Sequence, residues 1–334
     1  MTRPVTNMPR SSSIFRSPAA RERMQALYDR FLDRLGPPAE RRTVATRHGS
    51  THVLVYGPPD APPLVCLHGA LAGAPHALGE LRALIEHYRV YAPDIVGQSV
   101  MSAEVRPPFT AEGFGGWARD VMDGLELPRA HVLGVSWGGA VAMQLAMHAP
   151  ERIDRLVLLV PAGMVKGSAW RGVVEVGWPM LKWRLRPTQG NLEAMLSATF
   201  TTLDPLWVEF MGEAFGAVKI DFKAPPRVQP EDFAGFDRPT LVIAAEHDLS
   251  FPGAALLERA REVFGAGVET RLVEGSKHCP PFTAEFRGWL GEQVGGFLSA
   301  RSGACGTLAA DHGATSKGDP RLVEAQAPVP RSTS

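Results

Sequence analysis

The chain has 334 residues with 35 basic and 35 acidic side chains, so its formal charge is zero and composition alone makes no case for a nucleic acid or an anionic membrane as partner. No apolar run approaches the roughly 20 residues of a membrane-spanning helix. The three cysteines, Cys66, Cys279 and Cys305, have no paired spacing, which argues against a disulfide framework and for a reducing, cytoplasmic compartment.

Residues 1–20 begin rich in Arg and Ser without an acid and read as a disordered leader. Residues 21–35 then carry Met24, Leu27, Tyr28, Phe31, Leu32 and Leu35 at helical period, with a stop at Gly36-Pro37-Pro38, and predict a helix lying across the main domain. Residues 43–56 read as a hairpin about His48-Gly49-Ser50. A short apolar strand over 64–67 leads into the turn His68-Gly69-Ala70-Leu71. Leu78, Leu81, Leu84, Ile85 and Tyr88 mark a helix, and residues 89–92 a strand ending at Pro93-Asp94. After the loop at 95–99, Thr110 can cap a helix that buries Phe114, Trp117, Val121 and Leu125.

Residues 131–133 form the next apolar strand. It turns through Gly134-Val135-Ser136-Trp137-Gly138 into an Ala- and Met-rich helix, and residues 156–160 are another buried strand. Such alternation of apolar strands with helices is the pattern of an α/β fold with a mostly parallel sheet covered on both faces. It lapses over 162–237, where Trp170, Trp178, Met180, Trp183, Met195, Phe200, Trp207 and Phe210 suggest an inserted helical lid. It resumes with a strand over 240–244, a helix through Leu256, Leu257, Ala260 and Val263, a last strand over 270–273 and a closing helix through Phe286, Leu290, Val294 and Phe297. The organisation expected is therefore a leader at 1–20, a core at 21–161 and 238–299, a lid at 162–237 and a disordered tail at 300–334.

Parallel α/β sheets place their chemistry at the carboxyl ends of strands. Gly134 to Gly138 is a G-x-S-x-G turn between strand and helix, in which small residues permit the tight bend and the helix N-terminus favours developing negative charge. A serine hydroxyl needs a base to become a nucleophile. His278, after the last strand, is placed to be that base, and Asp248, after the strand before it, to orient the imidazole. Backbone N–H groups of Ala70 and Trp137 are the expected donors to an oxyanion. His68 is read as bracing the oxyanion turn and Asp94 as holding loop backbone.

The sequence resembles the α/β-hydrolases with a helical lid over residues 43–299. The resemblance is closer still to bacterial carboxylesterase-like members, on its His68-Gly69-Ala70 turn, its Asp94-Ile95-Val96-Gly97-Gln98-Ser99 loop and the long segment after the strand that follows Ser136. The resemblance implies a Ser136-His278-Asp248 esterase working through an acyl-enzyme, without cofactor or metal, on a small apolar ester. It departs from the family at Gln98, at the Ala-Glu-His-Asp acid turn and at Cys279 beside the base. Leu71, Met164, Trp170, Trp207 and Phe210 are the expected substrate contacts, with the Trp137 indole as one pocket wall. The same triad could instead open a lactone, cleave a thioester or break a carbon–carbon bond, and a small-molecule receptor on this fold is the alternative of another class.

Overall fold

A computed structural model describes residues 13–38, 40–221, 224–265 and 267–300. Eight strands form one sheet: β1 Glu40–Thr46, β2 Gly49–Tyr56, β3 Pro63–Leu67, β4 Arg89–Pro93, β5 Ala130–Val135, β6 Ile153–Leu159, β7 Thr240–Ala245 and β8 Glu269–Val273, in the order β1-β2-β4-β3-β5-β6-β7-β8. β1, β2 and β4 pair antiparallel, and every pairing from β4 through β3 to β8 is parallel. The parallel strands read as apolar runs because both faces of the sheet are covered. One face is packed by α1 Pro18–Leu35, α2 Ala74–Glu80 and the closing helix, and the other by α3 Gly116–Gly124, α4 Trp137–His148 and a late helix over 253–264.

Between β6 and β7 the chain leaves the sheet. It forms α5 Ala169–Gly172, a π turn Val173–Gly177, α6 Trp178–Leu185, α7 Gln189–Leu196 and α8 Pro205–Ala217. The late helix is α9 Gly253–Phe264 and the closing helix α10 Ala284–Ser299. The inserted segment is helical only to Ala217, not throughout 162–237. Among the described residues its remainder holds one 3-10 turn, Pro230–Phe233, because Pro225, Pro226 and Pro230 remove helix donors. No helix among the described residues is long and apolar enough to cross a membrane.

Two other expectations change. The helix expected through Tyr88 ends at Glu80: the Leu81 N–H is shared between the Ala77 and Leu78 carbonyls, at 3.1 and 3.2 Å, and the chain tightens into a 3-10 turn at Arg82–Leu84. The leader does not extend to residue 20. Ile14 and Phe15 are buried, the Arg16 N–H donates to the Ala217 carbonyl at 2.8 Å, and Ser17 caps α1 through the Ala20 N–H at 3.1 Å. Two apolar residues in an Arg- and Ser-rich stretch are enough to tie this segment to the end of α8. Residues 1–12 and the tail expected at 300–334, except for Ala300, lie outside the described residues.

α1 packs its apolar stripe between α2 and α8. The Phe31 ring meets Trp207 at 5.1 Å and Phe210 at 5.7 Å. Along the rim run Arg23–Glu213 at 2.8 Å, Arg30–Glu209 at 2.5 Å and Arg34–Asp204 at 2.9 Å. These pairs are half-exposed, so each adds little, and the aromatic contacts carry the docking.

At the centre of that contact sits His76, buried against Phe31 at 4.1 Å and Phe210 at 4.2 Å. Its Nδ1 accepts the Gly73 N–H at 3.1 Å, and burial pushes the imidazole down to about 3. The folded state therefore resists a proton that the unfolded chain accepts near 6.5. The stabilisation is complete above that pH and is lost as pH falls from 6.5 toward 3. At pH 5 the loss from this one group is about 2 kcal/mol. We expect the Tm of wild type to fall more steeply between pH 7 and pH 5 than that of His76→Asn, as measured by calorimetry; parallel slopes would show that His76 does not titrate on unfolding.

Candidate active site

β5 ends at Val135, and Ser136 follows with φ 51° and ψ −110°, a left-handed conformation that costs a non-glycine residue of the order of 1–3 kcal/mol. The bend is possible only with glycine on both sides. A Cβ on Gly138 would stand 2.2 Å from the Leu67 carbonyl oxygen, and one on Gly134 would stand 2.4 Å from that of Gly138. The strained serine is pinned by its N–H donating to the Leu159 carbonyl at 2.9 Å and by its own carbonyl accepting the Ala162 N–H at 3.0 Å.

Ser136 Oγ lies 3.0 Å from His278 Nε2, and His278 Nδ1 lies 2.6 Å from Asp248 Oδ2. Asp248 is buried, and its other oxygen accepts the N–H groups of Ser250 at 2.7 Å and Phe251 at 3.0 Å. The carboxylate is therefore fixed by the turn after β7. The imidazole between acid and serine is held in the tautomer with hydrogen on Nδ1, leaving Nε2 free to accept the serine proton.

Trp137 opens α4, where a first-turn N–H has no acceptor within the helix. Ala70 sits in the turn after β3, and among the described residues its N–H donates to no protein group. That turn is braced from beneath by His68, whose Nδ1 meets the Gly69 carbonyl at 2.8 Å while Nε2 accepts the Ile95 N–H at 2.8 Å. Burial lowers the His68 pKa, so the ring is the neutral tautomer these bonds require. Leu71, at φ 60°, donates its N–H to Gln98 Oε1 at 3.2 Å. Asp94 gathers Tyr28, His52, Ser99 and the Ala74 N–H at 2.7–2.9 Å. Burial alone would raise the Asp94 carboxyl, but the His52 hydrogen bond and His68 nearby hold it below the usual range.

Ser136 and His278 open on a cavity of about 250 Å³ with a mostly apolar lining that includes Leu81, Val135, Leu159, Phe200, Trp207, Met211, Phe282, Phe286 and Leu290. His76, Glu80 and Thr199 supply its few polar side chains. Burial raises the Glu80 carboxyl even though Arg287 pairs with it at 3.0 Å. Cys279 also lines the wall. Burial pushes its thiol up to about 12, so it stays protonated beside His278.

Of the expected substrate contacts only Trp207 reaches this cavity. Met164 is fully buried in the core on the opposite side of the sheet, because the chain after β6 turns down at Gly163 before entering the insertion. Trp170 is 74% exposed on the outer surface. Phe210 and Leu71 face the space between α1 and the loop at Gln98 instead. The Trp137 indole is no pocket wall either; it packs against Phe109 at 4.9 Å, on the α3 side of the sheet. Residues 199–202 and the loop of His278, which sequence reasoning missed, are joined. The Cys279 N–H donates to the Thr199 carbonyl at 2.8 Å, the Thr201 N–H to the Cys279 carbonyl at 3.0 Å, and the Lys277 N–H to Thr201 Oγ1 at 2.9 Å. Two segments some 80 positions apart pair here with no local pattern to announce it.

Residues 62–188 match the family model described as the alpha/beta hydrolase fold. The carboxylesterase YbfK of Bacillus subtilis is 27% identical over 264 residues, covering 77% of this chain and 87% of that protein. The naproxen esterase (carboxylesterase NP) structure from Bacillus subtilis superposes with a TM-score of 0.68 at 25% identity, covering 83% of this chain and 98% of that one. A putative hydrolase structure from the same organism gives a TM-score of 0.71 at 24% identity, over 85% and 100% of the two chains, which bears on the fold alone. The sheet order and these matches together establish the α/β-hydrolase fold.

Gln98 accepts the Leu71 N–H and so supports the turn that carries Ala70. Gln98→Ala should lower kcat about tenfold with little change in KM or Tm, since small misplacements of a catalytic donor are costly. Steady-state kinetics with a p-nitrophenyl ester will check this, and an unchanged kcat would remove Gln98 from the site.

Proposed function

We propose that this α/β-hydrolase-fold chain is a serine esterase that cleaves carboxylic esters bearing apolar groups. The observation that carries the reading is the continuous relay Asp248–His278–Ser136, at 2.6 and 3.0 Å, ending at the mouth of an apolar cavity. The carboxylesterases similar to this chain support the same reaction class.

His278 Nε2 takes the Ser136 proton as Oγ attacks the ester carbonyl. The Ala70 and Trp137 N–H groups receive the negative oxygen, and Asp248 stabilises the imidazolium. Collapse of the tetrahedral intermediate passes that proton from His278 to the departing alcohol and leaves an acyl group on Ser136. Water, deprotonated by His278, then attacks the acyl carbon. A second collapse returns the proton to Ser136 and releases the acid. No step needs a cofactor. The cavity offers few polar partners and a volume of about 250 Å³, which suits small to medium uncharged esters. Three cysteines without paired spacing favour a reducing, cytoplasmic setting.

Hydrolysis of p-nitrophenyl butyrate should fall by about 10⁴-fold or more in Ser136→Ala and by about 10⁴-fold in Asp248→Asn. Wild-type turnover retained by either purified, folded variant would sink the assignment. Parallel assays on lactone and thioester series will separate the ester reading from others that use the same groups.

A further inference from the structure

The two ends of the inserted helical run differ sharply in what covers them. α8 and the turn at Thr199-Phe200 close over the cavity, whereas the run from α5 through the π turn to α6, Ala169–Leu185, carries a second apolar face that no described residue covers. Trp170, Val173, Val174, Trp178, Leu181 and Leu185 are all exposed, and only Leu203 and Leu272 match them elsewhere among the described residues. Their steps of three and four residues place them along one side of the helical run. Met180 and Trp183 occupy its other side and pack on the cluster of Leu192, Met195, Leu196, Phe200 and Val208. The run is thus anchored from within while its outward stripe faces solvent, an arrangement that calls for an occupant.

Charge selects the occupant. Over residues 166–186 the chain has Lys166, Arg171, Lys182, Arg184 and Arg186 against the single acid Glu175, and all five cations are exposed. Arg171 is paired with Glu175 at 2.7 Å, and the Lys182 ammonium lies 5.5 Å from the centre of the Trp178 ring. Lys166, Arg184 and Arg186 have no acidic partner among the described residues. A second copy docking stripe to stripe would bring these cations against their own equivalents. An anionic lipid surface satisfies both features: indoles and leucines enter the headgroup boundary while lysines and arginines reach up to phosphates. The zero net charge of the whole chain conceals this segregation.

We propose that the outer face of Ala169–Leu185 docks the chain peripherally on an anionic phospholipid surface. The inference does not depend on the ester reading. Its test is co-sedimentation of the full chain with large unilamellar vesicles of phosphatidylcholine, alone or mixed equally with phosphatidylglycerol. Sedimentation equilibrium is run in parallel. Wild type should partition onto the mixed vesicles, weakly onto the neutral ones, and less as salt rises. W170S/W178S/L185S and K182E/R184E/R186E should each lower the partition at least about tenfold, while Tm and turnover of a water-soluble ester stay at wild-type values. Three results would overturn the proposal. One is no partition of wild type onto mixed vesicles, another is equal partition onto neutral ones, and the third is a dimer that W170S/W178S/L185S dissociates in place of vesicle binding.

Discussion

The left-handed backbone of Ser136 is the constraint on which the rest of the site depends. A serine at φ 51° is unfavourable by itself, and it persists because the sheet over-determines it. Strand β5 is paired on both sides, the Ser136 peptide is hydrogen-bonded across to Leu159 and Ala162, and the close backbone at 134 and 138 admits only glycine. The same bend that lifts Oγ off the sheet starts α4 beneath it. One local distortion thereby places the proposed nucleophile, a proposed oxyanion donor and a helix terminus together.

The proposed base is mounted differently. His278 follows β8, an edge strand, and an edge loop alone would hold an imidazole loosely. Two supports compensate. Asp248 is locked by the amides of its own turn, and the chain on either side of His278 is tied to residues 199–202 of the insertion through backbone and threonine hydrogen bonds. The insertion therefore holds the His278 loop as well as covering the cavity. Phe200 and Trp207 wall the cavity from one side, and residues beside Phe200 steady the histidine from the other.

How much of this was legible in the sequence follows from the range of the forces involved. The elbow and the order of Ser136, Asp248 and His278 could be read because tight turns and strand ends are written in residues next to one another. The support of the early turn by His68 and of its loop by Asp94 was also open to reading, since buried polar groups at strand ends need partners. The cavity lining was not. Whether a large apolar side chain of the insertion faces the cavity, the core or water is settled by how α5 to α8 pack, which no local period encodes. So Met164 went to the opposite core, Trp170 to the surface, and Phe200 and Met211 to the pocket. The anchoring of Ile14 and Phe15 escaped for a similar reason, since two residues make no period.

The central claim is that Ser136 becomes covalently acylated and that His278 then drives deacylation. Rapid-quench mixing of the protein with p-nitrophenyl butyrate, followed by peptide mass mapping, tests it directly. A p-nitrophenol burst stoichiometric with the enzyme is expected, with a butyryl adduct on the peptide containing Ser136 that decays at the steady-state rate. Turnover with no adduct, or an adduct on any other residue, would contradict it.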